Sequence, residues 1–493
     1  MGLVKILSIS EFDISRESIH SIDKDESATA AAIAAANVSV NSAVNEIIDA
    51  VRSEGDAAVR RYAERFEKSV PEKFEIPLDA AKEAWENLES AEPALASSLS
   101  LAADHIRRFA ELQKGQFTDF EAEIEPGLFT GQRVIPIDRA AVYVPGGRFP
   151  LISSALMGLI PAAVAGVREK ILVSPPREEG LSEGKPGTAG NRRGFPDRRI
   201  LAAAYLAGAD RIFALGGAQA IAALALGTET IPRVDLIAGP GNKYVAAAKR
   251  LLFGEVGIDF VAGPTDVLII TDVSVKAEKT SNAEIDVNPD RDVADLIAEA
   301  VNLIAADMLA QAEHDPDARA RVLVPDRETG EQIERALEKR LALLPTAETA
   351  RASLKAGGLM IIYETKEEAV NIANRIAPEH LELHVSHPAE WMGGLRNFGS
   401  LFVGSSAAEV LGDYSVGINH TLPTSASARF TGGLSVRNFL KTVTTLRCVP
   451  GKAYTEALAA AEIIARAEGL AGHAESAASR LRTCTSPIGT VKP

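Results

Sequence analysis

Four of the eight histidines sit in short polar contexts suited to metal and proton chemistry: Gln311-Ala-Glu-His314, Pro378-Glu379-His380, Gly417-Ile-Asn-His420 and Glu468-Gly-Leu-Ala-Gly-His473. Gln311 and His314 close a strongly helical stretch, and a spacing of three residues puts both side chains on one face. An imidazole beside an amide oxygen can hold zinc, although amide ligands are uncommon. The same His, at a helix end before Asp315-Pro316, equally reads as a capping or surface residue. Glu379 and His380 open the run Leu381-Glu-Leu-His-Val385. Adjacent strand residues point to opposite faces, so the pair meets one substrate only at an irregular strand start. Otherwise it is a solvent-facing Glu beside a structural His. Asp413 and His420 belong to a polar, glycine-punctuated loop, where they either carry function or merely shape turns. His473 lies in an Ala- and Glu-rich helical tail, and its composition alone describes a surface residue.

The elements that position these residues follow from the texture of the chain. Between Ser42 and Phe66, Val44, Ile47, Ile48, Val51, Ala58 and Tyr62 recur at helical spacing, with a break at Gly55-Asp56, and helical charged sequence continues to about Gly127. After Val134 come short apolar runs ending in Gly or Pro: Ala140 to Gly147, Lys170 to Pro175, Arg211 to Gly217 and Val234 to Asn242. A second series follows at Asp266 to Asp272, Arg321 to Pro325, Gly358 to Tyr363 and Ser400 to Gly404. Strand, glycine turn and helix in repetition describe parallel sheets with crossover helices. Two such units in tandem imply a cleft, with ligands expected beyond the carboxyl ends of the strands. Phe149 to Val167 is uncharged but broken by Pro150, Gly158 and Pro161, which predicts a buried helix rather than a bilayer span. Glu178 to Pro196 and Val273 to Asp292 are polar, lack periodicity and read as surface insertions.

A chain of 493 residues is long enough for two or three domains with buried sites. Its formal net charge of −15 argues against nucleic acid or an anionic membrane as partner and leaves small-molecule chemistry as the starting class. Cys448 and Cys484 are too few for a disulfide framework and fit a reducing compartment. No secretory signal pattern opens the chain, and Ile6 stands where a myristoylation motif wants Ser or Thr, so a cytoplasmic location is expected. The glycine turns at Gly146-Gly147, Gly216-Gly217 and Gly239-Pro-Gly241 do not make the dinucleotide fingerprint and by themselves mark only turns of an α/β protein.

Taken in order, Tyr143-Val-Pro-Gly-Gly147, Gly216-Gly-Ala-Gln219, Ala238-Gly-Pro-Gly-Asn242, Ala262-Gly-Pro-Thr265-Asp266, Gln311-Ala-Glu-His314-Asp315, Ala377-Pro-Glu-His380-Leu-Glu382 and Gly412-Asp-Tyr414 through Asn419-His-Thr-Leu-Pro-Thr424 closely resemble the histidinol dehydrogenase family, zinc- and NAD-dependent enzymes of histidine biosynthesis. The resemblance runs from about Ser42 to Arg480. It implies two Rossmann-like parallel-sheet domains with helical N- and C-terminal extensions, in an intertwined homodimer. The expected organisation is an N-terminal arm over 1–24, one α/β domain from 25–121 and 265–434 carrying the zinc and acid/base residues, a second over 122–264 contacting NAD, and a tail over 435–493 reaching the partner subunit. The resemblance further implies zinc held by Gln311, His314, Asp413 and His473, and NAD contacts from Tyr143, Gln219 and Asn242. Glu379 and His380 match the acid/base pair. Substrate contacts are implied for Thr265, His420 and Glu468, together with Gln311, His314, His380, Asp413 and His473.

The implied reaction is the four-electron oxidation of histidinol to histidine through the aldehyde. It needs a base for the hydroxyl proton and a second group to activate water, with NAD carrying the redox chemistry. Thr265-Asp266 stands where the family usually has Ser-Glu, and Arg148-Phe-Pro150-Leu departs from its commoner Tyr-Pro-Ser-Ser form. The extra methyl of Thr265 keeps open a relative that oxidises another polar alcohol, a polyol or sulfonated diol. A catalytically silent binding or scaffold protein is disfavoured, because the ligand set and the Glu-His pair are intact.

Overall fold

The structure, a computed structural model, describes residues 2–12, 26–146, 150–177, 194–275 and 292–485, and the side chains of 26–37 and 485 are outside it. Both insertion segments and Arg148-Phe149 therefore lie wholly or largely outside the described residues. The chain divides into two compact units, 1–111 with 137–439, and 112–136 with 440–493.

Along the chain, β1 (Lys5–Ser8) precedes α1 (Glu26–Glu54), α2 (Asp56–Phe66), β2 (Glu75–Ile76), α3 (Leu78–Ala91) and α4 (Pro93–Lys114). Next come β3 (Phe120–Glu125), β4 (Leu128–Pro136), β5 (Arg139–Tyr143), α5 (Ile152–Ala165), β6 (Glu169–Ser174), α6 (Arg198–Leu206), β7 (Arg211–Ala214), α7 (Gly217–Leu226), β8 (Leu236–Ala238), α8 (Lys243–Leu252) and β9 (Gly257–Ile258). The second series is β10 (Asp266–Thr271), α9 (Val293–Ala312), β11 (Arg319–Val324), α10 (Arg327–Leu341), α11 (Ala347–Gly357), β12 (Leu359–Ile362), α12 (Lys366–Ile376), β13 (His380–His384), α13 (Ala389–Met392), β14 (Ser400–Val403) and α14 (Glu409–Tyr414). The chain then runs through β15 (Leu440–Cys448), α15 (Lys452–Ala467) and α16 (Ala471–Thr485).

The large unit holds two six-stranded sheets. One has the order β2-β7-β6-β5-β8-β9, parallel except for β2; the other is β1-β12-β11-β10-β13-β14, parallel throughout. Apart from the added edge strands β1 and β2, each sheet grows outward from a central strand, β5 or β10, in both directions. That is the doubly wound pattern, with a topological switch beside the central strand. The Gly55 break falls between α1 and α2 as its position suggested. The apolar run after Pro150 forms α5, where ten residues are buried around Pro161. A proline inside a helix costs about 3 kcal/mol. Burial of Leu156, Met157, Leu159 and Ile160 offsets it, at roughly 1.5–3 kcal/mol each.

Two features differ from the expected organisation. Residues of α1 and α2 pack with Tyr143, Val173 and α7 on one face of the β5 sheet, and those of α3 and α4 pack with Val142, Leu172 and α5 on the other. The N-terminal helices thus build the cores of that sheet, not of the β10 sheet to which 25–121 was assigned. Helical periodicity shows that a helix has an apolar stripe, not which sheet the stripe meets. The first strand, in turn, is an edge strand of the β10 sheet: Lys5 pairs with Leu359, and Leu3 and Val4 are buried in its core.

In the small unit β15, β4 and β3 form an antiparallel sheet, while α15 packs on α16 around Ala465, Ala474, Ala477 and Ala478. Among the described residues no helix is long and apolar enough to cross a membrane.

Candidate active site

β10 and β13 are neighbours, with Val267 opposite His380, Ile269 opposite Glu382 and Thr271 opposite His384. Buried parallel strands usually read as unbroken apolar runs. β13 is buried along its whole length yet reads His-Leu-Glu-Leu-His. Leu381 and Leu383 join the core under α12, so the strand's period of two sends His380, Glu382 and His384 to the opposite face, shared with Val267 and Ile269 and covered by α9.

The entrance to β13 has the irregularity that lets adjacent Glu379 and His380 act together. Ala377 ends α12 with φ 52° and ψ 61°, a left-handed conformation that costs a residue with a Cβ on the order of 1–2 kcal/mol. Pro378 follows, and the Glu379 carboxylate turns back to the amino end of β10. There it accepts from Thr265 Oγ1 at 2.5 Å and from the Asp266 amide at 3.1 Å. His380 Nδ1 lies 4.0 Å from the same carboxylate. These residues therefore gather at the amino ends of β10 and β13, the reverse of the carboxyl-end crevice expected from strand–turn–helix patterning. The amino end becomes chemical because α9 runs antiparallel to the strands and delivers its C-terminal Gln311 and His314 there.

Gln311 is fully buried and its amide nitrogen donates to Thr265 Oγ1 at 2.7 Å. Its oxygen then faces the Glu409 carboxylate oxygens at 2.8 and 3.1 Å, acceptor against acceptor. Rotating the amide would relieve that opposition. The single Thr265 hydroxyl proton would then be claimed by Gln311 as well as by Glu379, so the present orientation satisfies Thr265 better. It also aims the amide oxygen at a cluster in which ligand atoms of His314, Glu409 and Asp413 lie within 4.8 Å of one another. His314 is exposed while Glu409 and Asp413 are buried, so the cluster opens outward on the imidazole side. One nitrogen, one amide oxygen and two carboxylates form a donor set that fits a divalent cation.

The electrostatics agree. His380 is 3% exposed, neither ring nitrogen makes a hydrogen bond, and Glu409 and Asp413 stand 3.6 and 3.7 Å from Nδ1 and Nε2. Burial opposes charge on His380, but Glu409, Glu379 and Asp413 outweigh it and hold its pKa well above the usual range. Burial raises the Glu379 carboxyl to about 7 and lifts Glu409 well above the carboxylate range. Burial also acts to raise Asp413, but its contact with His380 leaves it below its ordinary value.

His420 is partly buried between two elements, with Nε2 3.1 Å from Ser154 Oγ on α5 and Nδ1 3.0 Å from the Asp413 carbonyl. Burial lowers its pKa. Asn419 donates to the Met157 carbonyl at 2.7 Å, and His105 Nδ1 on α4 meets the Ser415 carbonyl at 2.6 Å. The structure thus brings together Thr265, Gln311, His314, Glu379, His380 and Asp413, with His420 joined through the Asp413 backbone. Glu468 and His473 are exposed and belong to the small unit.

Tyr143, Gln219 and Asn242 lie at the carboxyl ends of β5, β7 and β8, where the switch beside β5 was expected to bind a ligand. Tyr143 and Gln219 are buried, and Tyr143 Oη accepts from the Gly217 amide at 3.2 Å. Asn242 is exposed and caps α8, accepting from the Tyr244 and Val245 amides. Gly239, at φ 110°, packs against the Tyr143 carbonyl so closely that no Cβ fits. A buried Lys249–Asp259 pair braces that turn, since Lys249 donates to the Gly239 carbonyl and Asp259 accepts from its amide. Ten-residue helices α7 and α8 begin here, and helix N-termini favour the anionic groups of a dinucleotide.

Glu67 already caps the first of these, accepting from the Gly216 backbone amide at 2.8 Å and from the Gln219 side-chain Nε2 at 3.3 Å, and burial pushes its carboxyl up to about 7. A carboxyl raised from 4.5 in the unfolded chain binds a proton in the fold between those values, so stability falls as pH rises through that window. Glu67→Gln has no charge to bury and is expected to gain on the order of 1–3 kcal/mol at pH 8, with the gain vanishing near pH 4. Denaturant melts at the two pH values check this, and equal gains at both would refute it.

Glu409 was missed in the sequence. The available signal was its i,i+4 spacing from Asp413 in Glu409-Val-Leu-Gly-Asp413, which places both on one helical face.

A family model described as histidinol dehydrogenase matches residues 31–285 and 293–481. The histidinol dehydrogenase of Thermus thermophilus is 44% identical over 438 residues, 89% of this chain and 93% of that protein. That of Methylococcus capsulatus is 42% identical over 447 residues, 90% and 92% of the two chains. Among solved structures, the histidinol dehydrogenase of Elizabethkingia anophelis superposes with a TM-score of 0.81 at 29% identity, covering 99% of this chain and all of its own.

Proposed function

The chain belongs to the histidinol dehydrogenase family of NAD-linked oxidoreductases in histidine biosynthesis, and from that premise we propose how its residues divide the work. The reaction converts histidinol, two NAD+ and water into histidine, two NADH and three protons. The observation that carries the reading is the joining of Glu379, Thr265, Gln311 and His380 to the carboxylates Glu409 and Asp413 in one buried cluster.

Gln311, His314 and Asp413 would hold zinc, with Glu409 beside them and the partner subunit's His473 completing the set. A cation held there would supply Lewis acidity toward the substrate's nitrogens, and NAD would supply the hydride acceptor. Everything else falls to the chain. His380 takes the hydroxyl proton in the first oxidation and that of the hydrated aldehyde in the second. Glu409, Glu379 and Asp413 hold the proton on His380 in this arrangement, and a cation neutralising Asp413 would ease its release. Glu379, raised to about 7, is poised to take a proton from the water that adds to the aldehyde. Thr265 fixes Glu379 through its hydroxyl, a contact that Ser would keep, so its added methyl does not disturb the proton path. His420 and Glu468 orient the substrate, while Tyr143, Gln219 and Asn242 hold the dinucleotide.

The enzyme works as a homodimer with shared sites. Exposed apolar residues of the small unit, Phe120, Ile124, Leu446, Ile463 and Ile464 among them, offer surface for a partner. We also place it in the cytoplasm, in keeping with two unpaired cysteines.

The test is NAD reduction by purified protein on histidinol and on small polyols. Two NADH per histidinol consumed is the expected result, and absence of turnover at millimolar histidinol would refute the substrate.

A further inference from the structure

One turn of α9 below Gln311 and one strand step below His380 lies a second group that the mechanism does not use. Asp307 from α9 meets Glu382 and His384 from β13, with one ligand atom of each residue within 4.8 Å of the others. Glu382 is fully buried and His384 is 4% exposed. One Glu382 oxygen accepts from the Glu409 amide at 2.9 Å, whereas the other makes no hydrogen bond, and neither nitrogen of His384 makes one. Burying an unpaired carboxylate costs several kcal/mol unless something compensates its charge. Here two carboxylates share the space with one imidazole, and the other charged group near Asp307 is Arg340 on α10.

Distance together with hydrogen-bond alignment bears on what compensates this charge. His384 Nε2 stands 3.2 Å from Glu382 Oε2 and 3.8 Å from Asp307 Oδ2. Two ligands bound at about 2.1 Å to one first-row ion lie roughly 3–3.5 Å apart. The 3.2 Å contact is within ion-pair reach, but neither His384 nitrogen is aligned to donate a hydrogen bond, so an imidazolium alone would leave both N–H groups and the second Glu382 oxygen without one. We propose that Asp307, Glu382 and His384 form a second divalent-cation site, for a first-row transition ion that accepts one nitrogen and carboxylate oxygens. The ion fixes Glu382, Glu382 holds the Glu409 amide, and the first turn of α14 is thereby set in place beside the catalytic cluster. The site is structural and adds no chemical step.

The experiment strips the full-length, untagged protein with chelator and titrates it with cobalt(II). Bound ions are counted by mass spectrometry after gel filtration, and the visible absorption reports ligand geometry independently of turnover. Wild type is expected to take two ions per chain, and His384→Gln and the pair His314→Gln with Asp413→Asn one each. The triple variant should take none. Two ions retained by His384→Gln, a single ion that His384→Gln leaves in place, or no ion at all would overturn the second site. A single wild-type ion lost on His384→Gln would support it and instead remove the metal from the first cluster. If His384→Gln fails to fold by circular dichroism, Glu382→Gln takes its place in the same count.

Discussion

Replacing His380 by Asn is expected to lower turnover on histidinol by about a hundred- to ten-thousand-fold, the usual cost of a positioned acid/base group. If His380 takes part in both oxidations as proposed, single-turnover formation of the first and of the second NADH should slow together. Glu379→Gln should separate them. Its amide can still meet Thr265 and Asp266, but it cannot take a proton from water, so the first NADH should form at near the wild-type rate and the second should lag by a similar factor. Supplying the aldehyde directly should expose the whole defect. The raised Glu379 carboxyl adds a pH signature: the second step should rise in wild type as pH passes through about 7, where Glu379 ionises, and lose that rise in Glu379→Gln. Wild-type rates in both variants would remove the pair from the mechanism.

The second large effect is recovery from nothing. His473 sits on α16 of the small unit, exposed, while Gln311 is buried at the end of α9 in the large unit. If His473 serves the partner's site, His473→Ala and Gln311→Ala are each inactive as homodimers. Under subunit exchange each heterodimer has one site with both residues intact and one with neither. Equal mixing yields half heterodimers, so about one quarter of wild-type activity should return. Exchange confirmed by mass spectrometry without any activity would show that the tail serves its own subunit.

Much of the site was legible because its residues come in ordered motifs, and much of the fold because glycine turns punctuate apolar runs. The pairing of Glu379 with His380 was conditional on an irregular strand start, which Ala377 supplies. Less legible was everything that depends on direction or on partners in space. Strand–turn–helix patterning does not say which end of a sheet a helix end will serve, so the amino-end location of Thr265, Glu379 and Gln311 was not foreseen. Glu409 belongs to none of the motifs read from the sequence, and its meaning comes only from the His380 and Asp413 it meets in space. The polar stripe of β13 was in plain view, yet Glu382 and His384 gain meaning only once α9 is laid across it.

The loop from Ser415 to His420 ties the material over the β5 sheet to the catalytic strands through His105, Met157 and Ser154. Swinging the sheets apart as rigid bodies would break three hydrogen bonds, each worth about 1 kcal/mol, besides the packing around them. A four-electron oxidation must let one reduced dinucleotide leave and an oxidised one enter while the aldehyde stays behind. On the proposed division of the site, a molecule laced in this way would keep the two events separable: the carboxyl ends of β5 and β8 would exchange the dinucleotide by local motion, while the amino ends of β10 and β13 would keep hold of the half-finished product.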